Sequence, residues 1–165
     1  MLVGVISDTH DNLPRVARAG ELFRERGVEA VLHAGDFVAP FALKVLVNSG
    51  LPVTAVFGNN DGERDGLAGL CDDLHEPPHR FELGGRVVVL SHEPDRLTDE
   101  VVAGADVLIH GHNHVAETAR RGASLLVNPG EAGGWLSGHC TVALVDFGRL
   151  DAEIIDLGRQ ETVKV

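Results

Sequence analysis

Lysine is nearly absent from this chain: Lys44 and Lys164 are the only two among 14 basic residues, set against 25 acidic ones in 165 positions. The formal charge of −11 repels duplex DNA and anionic membrane surfaces unless a local site or a bound cation reverses the field. Tyrosine is missing and tryptophan occurs once, beside six phenylalanines. No basic strip interleaved with aromatics is left to track a single strand, so extended nucleic-acid binding is not expected. Cysteine appears only at Cys71 and Cys140, far apart and without metal-ligand or redox spacing. That removes a disulfide framework and a zinc knuckle, and both read as packing residues. Long apolar runs are missing too. The stretch from Met1 to Ile6 reaches Asp8 too soon for a signal peptide or a membrane span, so the expected compartment is the cytoplasm, with no membrane partner.

What is present is a regular alternation of two periods. Leu2 to Ile6 is a short continuous apolar run, as a buried strand should be, and it ends in the polar segment Ser7 to Asn12. Leu13 to Arg26 carries Val16, Ala17, Ala19, Leu22 and Phe23 at helical spacing, with Pro14 suited to a first turn and Gly27 to a stop. The pattern repeats: strand Ala30 to Ala34, loop Gly35-Asp36, helix Pro40 to Asn48; then strand Val53 to Phe57, loop Gly58 to Arg64, helix Gly66 to Leu74. Three such units predict a parallel sheet with helices against it, and a ligand site beyond the carboxyl ends of the strands.

The second half predicts a hairpin, Arg80 to Leu83 and Val87 to Leu90 around Gly84-Gly85, then weak helix over 95–104 and a strand at Val107 to Ile109. Ala116 to Thr118, Leu125 to Val127, Thr141 to Asp146 and Glu153 to Asp156 read as mostly antiparallel strands. No linker, repeat or low-complexity segment interrupts the chain. Residues 1–165 therefore read as one domain with two packed sheets, large enough to bury roughly two-thirds of its unfolded surface.

Every predicted buried strand is followed at once by potential metal ligands: Asp8 and His10, then Asp36, Asn59, His92, and finally His112 and His114. Residues at i and i+2 of an extended segment project to one side, so Asp8-Thr9-His10 and His112-Asn113-His114 can each act as a pincer. Gly35, Gly58 and Gly111 precede a ligand, which suits tight turns or close backbone approach. Seven oxygen or imidazole donors without a thiolate suit hard or borderline divalent ions, and they exceed what one ion with an open position takes. Two ions sharing a carboxylate fit the count.

Ser7-Asp8-Thr9-His10-Asp11, His33-Ala34-Gly35-Asp36-Phe37, Gly58-Asn59-Asn60-Asp61, Gly111-His112-Asn113-His114 and Asn128-Pro129-Gly130-Glu131, in this order and with the lone His92 between, span nearly the whole chain. In that order the sequence resembles the calcineurin-like metallophosphoesterases, and among them the small YfcE-type phosphodiesterases of archaea and bacteria. The resemblance implies an α/β fold, a four-layer α-β-β-α sandwich with two mixed β-sheets. It implies that Asp8, His10, Asp36 and His114 hold one ion, that Asp36, Asn59, His92 and His112 hold the other, and that Asp36 bridges. It also makes Asp61 a carboxylate that organises the asparagine loop. Manganese leads the metals suited to Asp, Asn and His together, with Ni, Fe, Co and Zn as alternatives and Mg a poorer match to four imidazoles.

Two cations about 3.5 to 4 Å apart polarise phosphoryl oxygens and lower the pKa of a shared water, whose hydroxide is the nucleophile for in-line attack. No protein nucleophile is needed. One departure matters: many members of the superfamily carry a histidine after the motif asparagine, where this chain has Asn60, and an amide cannot protonate a leaving group near neutral pH. A preference for good leaving groups is expected, or for substrates that supply the proton themselves.

The remaining polar residues have quieter readings. Asp11 and Asn12 suit capping. His33 and His110 sit inside or at the end of strands and read as core histidines, whereas His75, His79 and His139 read as exposed and without spaced partners. Arg64 follows the asparagine loop and is either a substrate-phosphate contact or a surface arginine. Asn128-Pro129-Gly130 is a turn that holds backbone near the site, and Glu131 receives no catalytic role. The expected function is a phosphodiesterase acting on small phosphodiesters. The alternatives are a phosphomonoesterase or nuclease, or a catalytically silent scaffold, since the small retromer subunit has a similar fold with an incompetent site. All seven ligand positions are filled here, which favours the enzyme. Homo-oligomerisation stays open.

Overall fold

The structure, a computed structural model, describes residues 1–159. β1 (Leu2–Ile6), α1 (Leu13–Glu25), β2 (Ala30–His33), α2 (Pro40–Val47) and β3 (Val53–Val56) follow the expected strand-loop-helix rhythm. α1 begins where the Asn12 side chain accepts the Arg15 N–H, has proline in its first turn, and stops before Gly27, whose φ is +71°. The third unit departs from the reading. Its helix is only α3 (Arg64–Ala68), and Leu74–His75 form β4, parallel to β3 at the sheet edge. Gly66, Gly69 and the pair Asp72-Asp73 weaken helical continuation, while Leu74 packs onto the cluster of Phe37, Leu43, Ala55, Phe57 and Leu67.

β5 (His79–Leu83) and β6 (Arg86–Leu90) make the expected antiparallel hairpin. A 3₁₀ turn at Pro94–Arg96 and α4 (Asp99–Val102) replace the weak helix, followed by β7 (Val107–Ile109), β8 (Glu117–Arg121), β9 (Ser124–Asn128), β10 (His139–Asp146) and β11 (Asp151–Arg159). The sheets run β11-β10-β1-β2-β3-β4 and β5-β6-β7-β9-β8, and both are mixed. The second is less antiparallel than its sequence suggests, because β6, β7 and β9 are parallel and only the edge strands reverse. Val107–Ile109 and Leu125–Val127 are continuous apolar runs, as parallel strands covered on both faces should be.

Strand alternation sorts the core into layers. Val3, Val5, Leu32, Val88, Leu90, Val107, Ile109, Val127 and Val145 point between the sheets. Ile6, Val31, Val142 and Leu144 point outward to α1, where Val16, Ala19, Leu22 and Phe23 meet them. On the far side Val89 and Leu108 pack on Leu97 and Ala105, so the outer layer of the second sheet is thin. The result is a four-layer α-β-β-α sandwich. Both cysteines are buried and free. Among the described residues no helix is long and apolar enough to cross a membrane. β1, β2 and β3 of one sheet and β6 and β7 of the other send their carboxyl ends to a shared edge, where the predicted ligands lie.

Candidate metal centre

The ligand loops are stitched to one another by backbone. Asp8 N–H donates to Gly35 C=O at 3.0 Å, His10 N–H to Asp36 C=O at 3.1 Å, Gly111 N–H to His92 C=O at 3.0 Å, and Gly133 N–H to Asp8 C=O at 3.0 Å. Asp8, His10, Asp36, His112 and His114 all adopt positive φ, between +40° and +71°. Left-handed backbone is disfavoured for side chains bearing Cβ, by about 1 kcal/mol or more each, and such strain concentrates at functional sites. The glycines ahead of the ligands are required by close approach. A Cβ on Gly58 would overlap Asp36 Oδ1 and lie 2.9 Å from its Cγ, and one on Gly111 would lie 2.6 Å from Asp8 Oδ2.

The side chains form two adjoining groups. In the first, Asp8 Oδ1 lies 3.3 Å from His114 Nε2 and 3.9 Å from His10 Nε2. In the second, Asn59 Oδ1 lies 2.9 Å from both His92 Nε2 and His112 Nδ1, which are 3.3 Å apart. Asp36 stands between them, with Oδ2 3.5 Å from His10 Nε2 and Oδ1 3.4 Å from His92 Nε2. All seven predicted ligands are thus brought together. His92 has its other nitrogen 2.8 Å from Ala34 C=O, which assigns the proton to Nδ1 and leaves the Nε2 lone pair facing the centre. Asp8 Oδ1 and His10 Nε2 are buried without a hydrogen-bond partner, as expected of donors that serve a cation. Divalent ions therefore fit the residues present.

The carboxylates and imidazoles perturb one another. Burial would raise the Asp36 carboxyl, but the His92 imidazole and the backbone and side-chain amides of Asn60 overcome it and hold it well below the usual carboxylate range. Burial likewise opposes charge on His92, yet Asp36, Asp8 and the Ala34 carbonyl raise it. The hydrogen bond to Asp8 pushes His114 up to about 9 against partial burial, with Glu131 adding to the shift. In chelator-treated protein the His114 proton thus contributes stability in full below pH 6.5 and loses it as pH rises through 9. Urea midpoints of metal-free protein should fall between pH 6.5 and 9.5, and His114→Asn should flatten that slope; a midpoint constant across the window would contradict the ion pair. Metal must displace the same proton, so loading should strengthen over the same window.

Other residues hold the ligands in place. Asp61 is buried and accepts N–H groups of Gly58 at 2.6 Å, Val38 at 2.8 Å and Asp36 at 3.2 Å, so it organises the asparagine loop through backbone. Asn60 grips the Asp36 carboxylate twice, from its backbone N–H at 2.9 Å and its amide at 2.8 Å. Asn128 turns the chain and donates to Asn113 Oδ1 at 2.6 Å, steadying the His112–His114 loop. His33 is buried, stacked 3.7 Å on Phe37, and accepts the Gly35 N–H; His110 is buried beside Gly111 C=O. Arg64 lies over the Phe57 ring at 3.8 Å and is paired with Glu76.

Glu131 is the neighbour of a predicted ligand that the sequence does not reveal. Its buried carboxylate accepts N–H groups from Trp135, Leu136 and Ser137 and sits 3.4 Å from His114 Nδ1. It places a negative charge behind the His114 ring, whose Nε2 faces Asp8. The only signal is a carboxylate after a turn, 17 positions beyond its histidine. Removing an outer carboxylate behind a histidine ligand typically costs 10- to 100-fold in metal affinity. Glu131→Gln should weaken metal binding by about that factor in a competition titration, and unchanged affinity would remove its role.

Residues 1–149 match the calcineurin-like phosphoesterase superfamily domain. The chain belongs to that superfamily. Over 154 aligned residues this calcineurin-like phosphoesterase is 34% identical to a phosphodiesterase of Methanocaldococcus jannaschii, covering 88% of this chain and 93% of that one. It is 27% identical over 168 residues to the phosphodiesterase YfcE of Escherichia coli, covering 92% and 88%. The solved structure of a novel archaeal phosphodiesterase superposes with a TM-score of 0.84 at 31% identity, covering 94% of this chain and 99% of the other. The expected superfamily and four-layer architecture both stand. Phosphoester hydrolysis with metal ions is the chemistry of this superfamily, and the donors gathered at the strand ends suit it.

Proposed function

We propose that this calcineurin-like phosphoesterase is a phosphodiesterase that hydrolyses small phosphodiesters with two divalent ions, manganese first among them. The observation that carries the reading is Asp36, whose two oxygens face two different imidazole sets at 3.5 and 3.4 Å. Asp8, His10 and His114 would complete one ion's ligands, and Asn59, His92 and His112 the other's. Bound ions would polarise phosphoryl oxygens and activate water for in-line attack. The chain's own residues set the rest. Asn60 holds the bridging carboxylate and offers no acid, so the leaving group must depart well or bring its own proton. Arg64 reaches a substrate phosphate by exchanging Glu76 for it. The exposed Trp135 is held beside the ligands by its indole N–H on His10 C=O at 2.9 Å, which offers an apolar surface for the organic part of a diester.

A scaffold of the same fold would be expected to show eroded donors, and none is missing here. The test is a matrix of Mn, Ni, Co, Zn, Fe and Mg against aryl diesters, aryl monoesters, cyclic nucleotides and a single-stranded oligonucleotide. Turnover greatest with diesters supports the proposal; turnover confined to monoesters or oligonucleotides replaces it, and no turnover with any metal favours the scaffold. Asn60→His should speed hydrolysis of poor leaving groups by about 10²-fold, the usual contribution of a positioned acid, and leave good ones nearly unchanged. A uniform effect on both would show that proton delivery is not what position 60 controls.

A further inference from the structure

Edge strands of the two sheets meet away from the ligands described above. β4 ends at His75 in one sheet and β5 begins at His79 in the other, with Glu76, Pro77 and Pro78 between. The sequence reading left both histidines without partners, yet their rings stack 3.7 Å apart at 11°, and Phe81 continues the stack against His79 at 5.0 Å. Asp73 flanks the pair. Its Oδ1 lies 2.7 Å from His75 Nε2, while Oδ2 accepts the Thr54 hydroxyl, which fixes the carboxylate in place. One donor atom from each of Asp73, His75 and His79 lies within 4.8 Å of the other two.

We propose that Asp73, His75 and His79 bind one further divalent ion of the borderline class, Zn, Ni, Co or Cu(II), and that the ion ties the two sheet edges together. Two imidazoles and a carboxylate with an open position are a donor set that suits these ions and disfavours Mg and Ca. A tetrahedral ion with bonds near 2.1 Å keeps its donors roughly 3.4 Å apart. Asp73 Oδ1 and His75 Nε2, now hydrogen-bonded at 2.7 Å, need only open by a fraction of an ångström to reach that spacing, the ion taking the place of the shared proton. Parallel stacked rings do not aim their lone pairs at one point, so one imidazole turns out of the stack on binding, a fast rotation for a partly exposed side chain. The His75 and Asp73 side chains are 34% and 56% exposed, leaving a path for the ion and water on its remaining positions. None of the three residues belongs to the centre that Asp36 bridges.

The test counts zinc per full-length chain after dialysis against buffered zinc, alongside diesterase activity. His75→Ala and His79→Ala should each lose one equivalent with activity unchanged, while Asp36→Asn should lose zinc elsewhere and keep this equivalent. His79→Phe retains the stack against His75 and Phe81 but removes the donor, so it separates metal binding from folding. In an Asp36→Asn background, Cu(II) should give a two-imidazole EPR signature that His79→Phe reduces to one. A zinc count in His79→Phe equal to the parent's, or one that falls only together with activity, overturns the proposal.

Discussion

Asp36→Asn is expected to empty both ion positions and to slow phosphoester hydrolysis by roughly a thousand-fold, about 4 kcal/mol of lost charge stabilisation. The substitution keeps the shape of the side chain and removes its charge. Each carboxylate oxygen faces a different set of imidazoles, at 3.5 Å from His10 and 3.4 Å from His92, so the His92 group loses its carboxylate and the His10 group keeps only that of Asp8. The charge also matters before metal arrives, because His92 and Asn60 are both oriented on it. His110→Ala is the matched control: His110 is buried next to Gly111, and its Nδ1 lies within hydrogen-bond distance of Gly111 C=O and the Asn128 amide, not of a predicted ligand side chain. Elemental analysis should show metal content nearly intact in that variant. Equal metal loss in both would refute the division of the histidines into ligands and core.

Gly58→Ala is expected to act almost as severely without removing any ligand. The added methyl would overlap Asp36 Oδ1 and crowd the Asp36 backbone N, and the neighbour cannot retreat. Asp61 holds both Gly58 N–H at 2.6 Å and Asp36 N–H at 3.2 Å, so the two segments are pinned to a common carboxylate. Overpacking of this kind costs about 3 kcal/mol at the upper end of its range, or roughly 10 °C in Tm for a domain of this size. Metal content should fall alongside, since the displaced oxygen belongs to Asp36, the carboxylate between the two imidazole groups. Gly62→Ala, where an added methyl meets nothing within 4 Å, should leave Tm and metal content close to the parent's. A Gly58→Ala protein with parental metal content would show that the loops yield where the hydrogen bonds say they are fixed.

Much of this was legible in the sequence because each buried strand is a short apolar run that stops at its ligand. Asp8, Asp36, Asn59, His92 and His112 all follow such runs directly, and strand ends in a parallel arrangement must share an edge. What stayed hidden depends on contacts between distant segments. Glu131 meets His114 across a loop whose path follows from three N–H groups converging on one carboxylate, and no local period records that. β4 is two residues long, below what alternation can register, and its place is set by β3 beside it. For the same reason His75 and His79 looked solitary: their partnership comes from two sheets turning toward each other, while in sequence they are separated by a proline pair.

The positive φ at Asp8, His10, Asp36, His112 and His114 sets selection for thermostability against selection for activity. At each of these positions glycine would be the more comfortable residue for the backbone, and each is a position where glycine cannot bind an ion. Random stabilising substitutions in this chain should therefore include changes that relax the ligand loops at the expense of turnover, a stability and function trade-off built into the backbone itself. Selecting hardier variants by heat alone would select against the centre; adding metal during selection would couple survival to the strained conformations, because an ion that binds only the folded loops stabilises them in proportion to its occupancy.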